Sequence, residues 1–329
     1  MRLLVTGGCG FIGSNFILHV LEKEKDIQIV NLDSLTYAGN AENLSSISGN
    51  QRYTFIQGTI NDPETVENAM TGIGAVVHFA AESHVDKSIT GPLIFTQTNV
   101  LGTHLLLETA RKKKIPRFVH VSTDEVYGSL ERNGGLFTEQ TPLAPNSPYS
   151  ASKAASDMLV RSYFHTFKFP GTITRCSNNY GPLQFPEKLI PLLITNLMEN
   201  KRIPIYGKGE NIRDWLHVRD HCSAIFTVLQ KGREGEVYNI GGLNEWTNID
   251  IAREILRLMG KDESYIEYVV DRPGHDFRYA IDASKIMGRL GWKPAYTFEN
   301  GLAETVAWYR ENEAWWRPLK ERNSSWKRL

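Results

Sequence analysis

The sequence predicts an α/β fold, a doubly wound parallel sheet with a smaller mixed domain towards the C-terminus. Three observations predict it. Short apolar runs alternate with helical periodicity through the first 180 residues. A glycine-rich turn joins the first apolar run to the first helix. After Tyr180 the alternation stops, and Pro182, Pro186, Pro191 and Pro204 punctuate the chain.

Taken in order, Arg2–Thr6 is a short apolar strand and Phe11–Leu21 has helical periodicity. Ile27–Leu32 reads as a second strand, with Tyr53–Gln57, Ala75–Phe79 and Arg117–Val121 as further β-rich runs. A long helix, Pro92–Lys113, separates the last two. Its basic end, Arg111–Lys114, suits the negative end of the helix dipole. Another helix starts at Ser147-Pro148, a capping residue followed by proline at the first helical position. Gly171–Cys176 is a sixth strand, and Glu236–Ile240 looks like one strand returning to the sheet. The expected division is a nucleotide-binding domain of residues 1–180 with a returning segment near 214–242, and a second domain from 181–213 and 243–329.

Composition narrows the function. Lys+Arg and Asp+Glu are both 37, so the basic excess of a nucleic-acid binder is absent. No apolar run approaches the ~18 residues of a membrane span. Cys9, Cys176 and Cys222 lie far apart in sequence, with neither metal-type nor disulfide-type spacing. A reducing, cytoplasmic setting is the simplest expectation. His217 and His221 share helical spacing, but no third ligand is in register, so no metal is expected.

The segment VTGGCGFIG places Gly7, Gly10 and Gly13 between the first strand and helix, the Rossmann pattern for holding a pyrophosphate at a helix N-terminus. Asp33 follows at the end of the next strand, where a carboxylate accepts hydrogen bonds from the adenosine ribose. A carboxylate there would repel a 2′-phosphate, so NAD is expected rather than NADP.

Tyr149 and Lys153 are four residues apart and share a helix face. Bringing a phenol from a pKa near 10 to about 7 takes roughly 4 kcal/mol. A lysine cation at about 4 Å supplies that at an effective dielectric of about 20. The pair is therefore a switchable base for a hydroxyl group. Thr123, Asp124 and Glu125 follow an apolar strand, at the end where open parallel sheets bind ligands. Adjacent carboxyls in a crevice separate in pKa into one acid and one base.

These motifs, with HFAAESHVDKSI, SPYSASKAASD, SNNYGP, QFPEKLIP, GKGENIRDWLHV and DRPGHDFRYAID, resemble the extended short-chain dehydrogenase/reductase family. The Thr-Asp-Glu triplet and DRPGHD point to its nucleotide-sugar 4,6-dehydratase branch. The resemblance implies NAD and the nucleotide sugar dTDP-glucose as partners. It gives Tyr149 and Lys153 oxidation at carbon 4 of the sugar, Glu125 the carbon 5 proton, and Asp124 protonation of the hydroxyl leaving carbon 6. It further implies cofactor contacts at Phe11, Ile12, Ser34, Leu35, Thr36, Ile60, Ala80, Ala81, Thr98 and Asn179. Substrate contacts are implied at Ser83, Thr123, Asn178, Lys188, Leu189, Pro204, Ile205, Tyr206, Arg213, Asn248 and the Asp271–His275 stretch. Arg213 and Arg272 would be diphosphate clamps. Helices 92–113 and 148–167 resemble those that pair across a homodimer in the family.

The chain departs from the pattern at four places. Thr59 stands where aspartate is usual, with Asp62 nearby. Leu183 replaces a tyrosine, Arg175 an asparagine and Phe277 an arginine. Two rivals remain at this level. A nucleotide-sugar 4-epimerase would share the fold and the Tyr/Lys pair but would not need Asp124 and Glu125. A non-catalytic NAD sensor would tend to lose the Tyr or the Lys.

Overall fold

The computed structural model describes residues 1–271 and 275–324. In chain order its strands are β1 (Arg2–Thr6), β2 (Gln28–Asp33), β3 (Tyr53–Gln57), β4 (Ala75–His78), β5 (Phe118–Thr123), β6 (Gly171–Cys176), β7 (Asn178–Tyr180), β8 (Ile203–Tyr206), β9 (Ile212–His217), β10 (Val237–Ile240), β11 (Glu245–Thr247), β12 (Ile266–Val269) and β13 (Arg278–Tyr279). Seven of them form one parallel sheet in the order β10-β6-β5-β4-β1-β2-β3. Every residue of β4, β5 and β6 is buried, as expected of strands covered on both faces.

One face packs on Phe16, Ile17 and Val20 of the helix Phe11–Lys23 and on Ala224, Ile225 and Val228 of the helix Val218–Lys231. The other packs on Leu106, Leu107 and Ala110 and on Val160 and Tyr163. Register aligns Thr6 with His78, His78 with His120, and Thr123 with Cys176, so the carboxyl ends of the central strands form one rim. Strand order reverses between β1 and β4, which opens a crevice on that rim.

β10 returns to the sheet beside β6, as the sequence predicts. Strands are less scarce after Tyr180 than expected. β11-β9-β13, with β7 beside β9, form a four-stranded sheet, and β8 pairs with β12. Five of these strands are two to four residues long, too short to carry a clear period of two, and the six-residue β9 is masked by Arg213, Asp214 and His217. A third core holds them together, centred on Leu193, Ile194, Trp215, Ile255, Phe298 and Tyr309.

The expected helix 92–113 is one helical run whose middle, Thr96–Gly102, is π-helical. Gly102 belongs to this bulge, and a Cβ there would meet Ile60 Cδ1 at 2.7 Å. The Asn99 side chain accepts from Glu82 N at 2.8 Å and donates to Glu82 O at 2.9 Å, securing the loop after β4. Among the described residues, no helix is long and apolar enough to cross a membrane.

Candidate active site

A cavity of about 520 Å³ opens at the carboxyl ends of β1, β2, β4, β5 and β6. At one end, the β1 turn forms a cradle that only glycine can make. Gly7 has φ of +72°, and a Cβ on it would lie 2.6 Å from Ala80 N. A Cβ on Gly13 would sit 2.8 Å from Gly8 Cα. The helix Phe11–Lys23 begins after Gly10 with no side-chain cap, so its first N–H groups and positive dipole end face the cavity. Asp33 closes β2 beside it, accepting from Cys9 N and Leu35 N, each at 2.8 Å. Burial nevertheless raises its pKa, and these bonds only partly offset the effect. A bare cradle, an uncapped helix and a terminal carboxylate fit a dinucleotide's pyrophosphate and ribose.

At the cavity's other end stand Thr123, Asp124, Glu125, Tyr149 and Lys153. The helix Pro148–Phe167 is started by a reciprocal capping box. Ser150 N donates to Ser147 Oγ at 3.1 Å and Ser147 N to Ser150 Oγ at 3.0 Å, with Pro148 in the first turn. This start aims Tyr149 and Lys153 at the rim. Thr123 caps the short turn Asp124–Tyr127, accepting from Glu125 N at 3.3 Å. Its hydroxyl also favours the ionised Tyr149 phenol.

The carboxyl pair is electrostatically asymmetric. Burial, then the nearby Glu125 and Asp214 carboxylates, hold Asp124 well above the usual carboxylate range, against the opposing Arg213 charge. Burial thus favours the protonated carboxyl at Asp124, the form an acid needs. Burial lowers Lys153 to about 8, and its Nζ donates to Val121 O at 2.8 Å. The lysine does not dominate the phenol as the spacing suggested. Burial and the Glu125 charge raise Tyr149 well above 10, so the phenol keeps its proton in the free chain.

A family profile described as GDP-mannose 4,6 dehydratase matches residues 4–305. A dTDP-glucose 4,6-dehydratase of Xanthomonas campestris pv. campestris is 55% identical over 332 residues, covering 95% of this chain and 94% of that protein. The chain belongs to the dTDP-glucose 4,6-dehydratase family. A family structure from Streptomyces venezuelae, solved with NAD and TYD bound, superposes with a TM-score of 0.94 at 51% identity, covering 97% of this chain and 100% of that one. The UDP-glucose 4-epimerase of Thermotoga maritima, the expected rival, superposes at 0.88 with 29% identity, covering 95% and 100%.

The dehydratase cavity brings together most of the expected residues. Gly7, Gly10, Phe11, Ile12, Gly13, Asp33, Ser34, Thr36, Ile60, Ala80, Ala81, Thr98 and Asn179 line it, as do Ser83, Asn178 and Lys188. Leu35 is not on its wall; its N–H holds Asp33 instead. Leu189, Pro204, Ile205, Tyr206, Arg213, Asn248, Asp271 and His275 also lie off the wall, and Arg272 lies outside the described residues. The Arg213 guanidinium is buried and donates to the carbonyls of Ile212, Asp276 and Phe277, with the Tyr279 ring 4.3 Å away. His275 Nδ1 contacts Asp271 Oδ1 at 2.7 Å.

Thr59 lines the cavity, whereas Asp62 caps the helix Pro63–Ala69 through Thr65 N at 2.9 Å. His217 stacks on Tyr296 with ring centres 3.8 Å apart, and His221 Nδ1 pairs with Asn179 Oδ1 at 2.8 Å. Among the described residues, no group of three His, Cys, Asp or Glu side chains could hold a metal.

Sequence reasoning missed Tyr37 and Glu187, which also line the cavity. Lys87 joins them, its Nζ 3.3 Å from the centre of the Tyr37 ring and 3.6 Å from Glu187. Glu187 sits inside the segment QFPEKLIP and Tyr37 four residues after Asp33, which is the signal that could have found them.

Proposed function

We propose that this protein is a dTDP-glucose 4,6-dehydratase that works with bound NAD in the cytoplasm. The observation that carries this reading is a shared cavity, in which the glycine cradle, the Tyr149 phenol and the Asp124–Glu125 pair all meet. An epimerase would need the first two but not the carboxyl pair.

When bound, NAD supplies the hydride acceptor at carbon 4, the hydride donor at carbon 6 and a positive ring beside the phenol. Gly7, Gly10 and Gly13 admit the pyrophosphate, and Asp33 receives the adenosine ribose hydroxyls. With the positive ring of bound NAD and the Lys153 cation favouring its ionised form, Tyr149 would lose its own proton and Tyr149 Oη would then take the proton of the carbon 4 hydroxyl, with Thr123 Oγ1 aligned on the same group. Glu125 removes the proton on carbon 5, made acidic by the new ketone. Asp124 gives its proton to the hydroxyl departing carbon 6, a role that burial favours by raising its pKa. The product is dTDP-4-keto-6-deoxyglucose.

Ser83, Asn178 and Lys188 would meet the sugar end of the substrate. Pro204, Ile205, Tyr206, Asn248, Asp271 and His275 would meet the nucleotide end, and Arg213 would reach the diphosphate only by releasing the carbonyls that it holds here. On this reading residues 1–180 and 214–242 hold NAD, and the remainder holds the nucleotide sugar. Exposed Leu93, Leu101, Met158 and Phe167 on the helices 92–113 and 148–167 support a homodimer through those helices.

The test is turnover of purified protein with dTDP-glucose and, separately, UDP-glucose. A 4-keto product from dTDP-glucose supports the proposal. A galactose-configured product means an epimerase, and no turnover means a sensor.

A further inference from the structure

Beneath the cavity floor lies a buried ion pair that the proposed chemistry does not use. Arg175 on β6 and Asp157 on the helix Pro148–Phe167 are both buried, and Arg175 Nε donates to Asp157 Oδ2 at 2.8 Å. The same guanidinium donates from Nη1 to Tyr127 Oη at 2.9 Å, and its carbon lies 4.9 Å from the centre of the Tyr127 ring. Tyr127 in turn donates to Asn239 Oδ1 at 2.8 Å and stacks on Phe137 at 5.0 Å between ring centres.

The two partners of Arg175 belong to the two catalytic segments. Tyr127 ends the short turn that carries Asp124 and Glu125. Asp157 lies one helical turn beyond Lys153 and two beyond Tyr149. We infer that Arg175 is a positioning residue that ties the acid–base turn to the phenol-bearing helix and so sets the spacing between the carboxyl pair and Tyr149. This inference rests on the dehydratase reading above.

The chemistry of the side chain suits the task. A guanidinium is planar, always charged and donates in several fixed directions, so it reaches a carboxylate and a phenol oxygen at once. The asparagine of the family pattern has one short amide and cannot span both, so the strut belongs to this chain rather than to the pattern. Stability alone is a poor reason to keep such a pair, because apolar replacement of a buried ion pair is often neutral or stabilising.

The pair also bears on Lys153. Burial pushes Asp157 up, but the Arg175 and His120 partners outweigh it and hold it ionised below its ordinary value. The groups facing Lys153 are Asp157 on its own helix, His78 on β4, His120 on β5 and Cys176 on β6. Burial, then the Lys153 charge, lowers His120 to about 4, leaving Asp157 as the charged neighbour.

The test compares wild type with Arg175→Lys, Asp157→Asn and the double variant Arg175→Met/Asp157→Leu. The double variant leaves neither charge buried alone and is expected to melt near wild type. Its kcat is expected to fall roughly 10- to 100-fold with KM little changed, because misplaced groups lose rate rather than binding. Without substrate or cofactor, its backbone amides at 125–128 are expected to exchange faster while β6 stays protected. During turnover, oxidation at carbon 4 should run ahead of water loss. Arg175→Lys keeps the charge and should recover part of kcat. Asp157→Asn removes the carboxylate beside Lys153, so the alkaline limb of kcat/KM should move below about 8.

A double variant with wild-type kcat and wild-type exchange at 125–128 overturns the inference and leaves the pair a folding element. So would an Arg175→Lys protein no better than the double variant. A wild type that makes no 4-keto product would instead sink the dehydratase reading, since the exchange measurement reports on the strut without any turnover.

Discussion

Gly7→Ala should damage NAD binding and stability together, for two separable reasons. Gly7 holds φ at +72°, where an alanine costs about 1–2 kcal/mol in left-handed strain. Its new Cβ would also lie 2.6 Å from Ala80 N and 2.7 Å from Ala80 Cα. Ordinary contact begins near 3.4 Å, so the Ala80 backbone must retreat by about 0.7–0.8 Å. Overpacking of that kind costs a further 1–3 kcal/mol or so. The expected loss of stability is therefore about 2–5 kcal/mol. Ala80 and Ala81 line the cavity opposite the uncapped helix, so the same retreat moves its wall. An affinity loss of about 10- to 100-fold corresponds to roughly 1.4–2.8 kcal/mol. The assay is calorimetric titration with NAD at a temperature where the variant is folded, beside a thermal melt. Gly288→Ala serves as contrast. That residue sits in the helix Ser284–Leu290 with nothing within 4 Å of the added methyl, so the change should stabilise by about 1 kcal/mol and leave NAD binding alone. A Gly7→Ala protein with wild-type NAD affinity would show that this turn is not the cofactor cradle.

Glu125→Gln should leave oxidation at carbon 4 partly alive while slowing water loss by at least ~100-fold, read by rapid-quench analysis of the sugar products; water loss at the original rate would remove Glu125 as the base. Asp124→Asn should abolish water loss yet raise the melting temperature at neutral pH. Because the folded pKa of Asp124 lies above its unfolded value, its contribution is fully present below about pH 4 and is lost as pH rises through the folded pKa. The variant and wild type should therefore melt alike in acid and diverge as pH rises, and a less stable variant at neutral pH would refute the raised pKa of Asp124. With Lys153 lowered to about 8, kcat/KM should fall above that pH as the cation beside Tyr149 is lost. In a wild-type pH profile, a flat alkaline limb up to pH about 10 would count against it.

Local signals wrote much of this protein plainly. β1, β3 and β6 run over the same residues in sequence and structure, because each is a run rich in apolar, aromatic or β-branched residues, legible in the buried β1 and β6 and in the partly exposed edge strand β3 alike. The Gly7–Gly13 turn, Asp33 at a strand end and the Ser147-Pro148 helix start are equally legible, since backbone conformation and capping depend on neighbours a few residues away. The strands β7, β11 and β13 were not, because each is two or three residues long, and β9 was not, because Arg213, Asp214 and His217 interrupt its apolar run; all four are stabilised by partners far along the chain. What the sequence by itself determined was the kind of chemistry available: a dinucleotide cradle, a phenol with a lysine, and two adjacent carboxyls. What only the tertiary structure decided was the state of each group. The Asp124 carboxyl and the Tyr149 phenol are both pushed towards their protonated forms because packing strips water from them, and Arg213 and Arg175 turn inward because folding brings carbonyls and an ionised Asp157 to them. Desolvation and charge pairing act between residues distant in the chain, so they arise only when the fold brings those residues together.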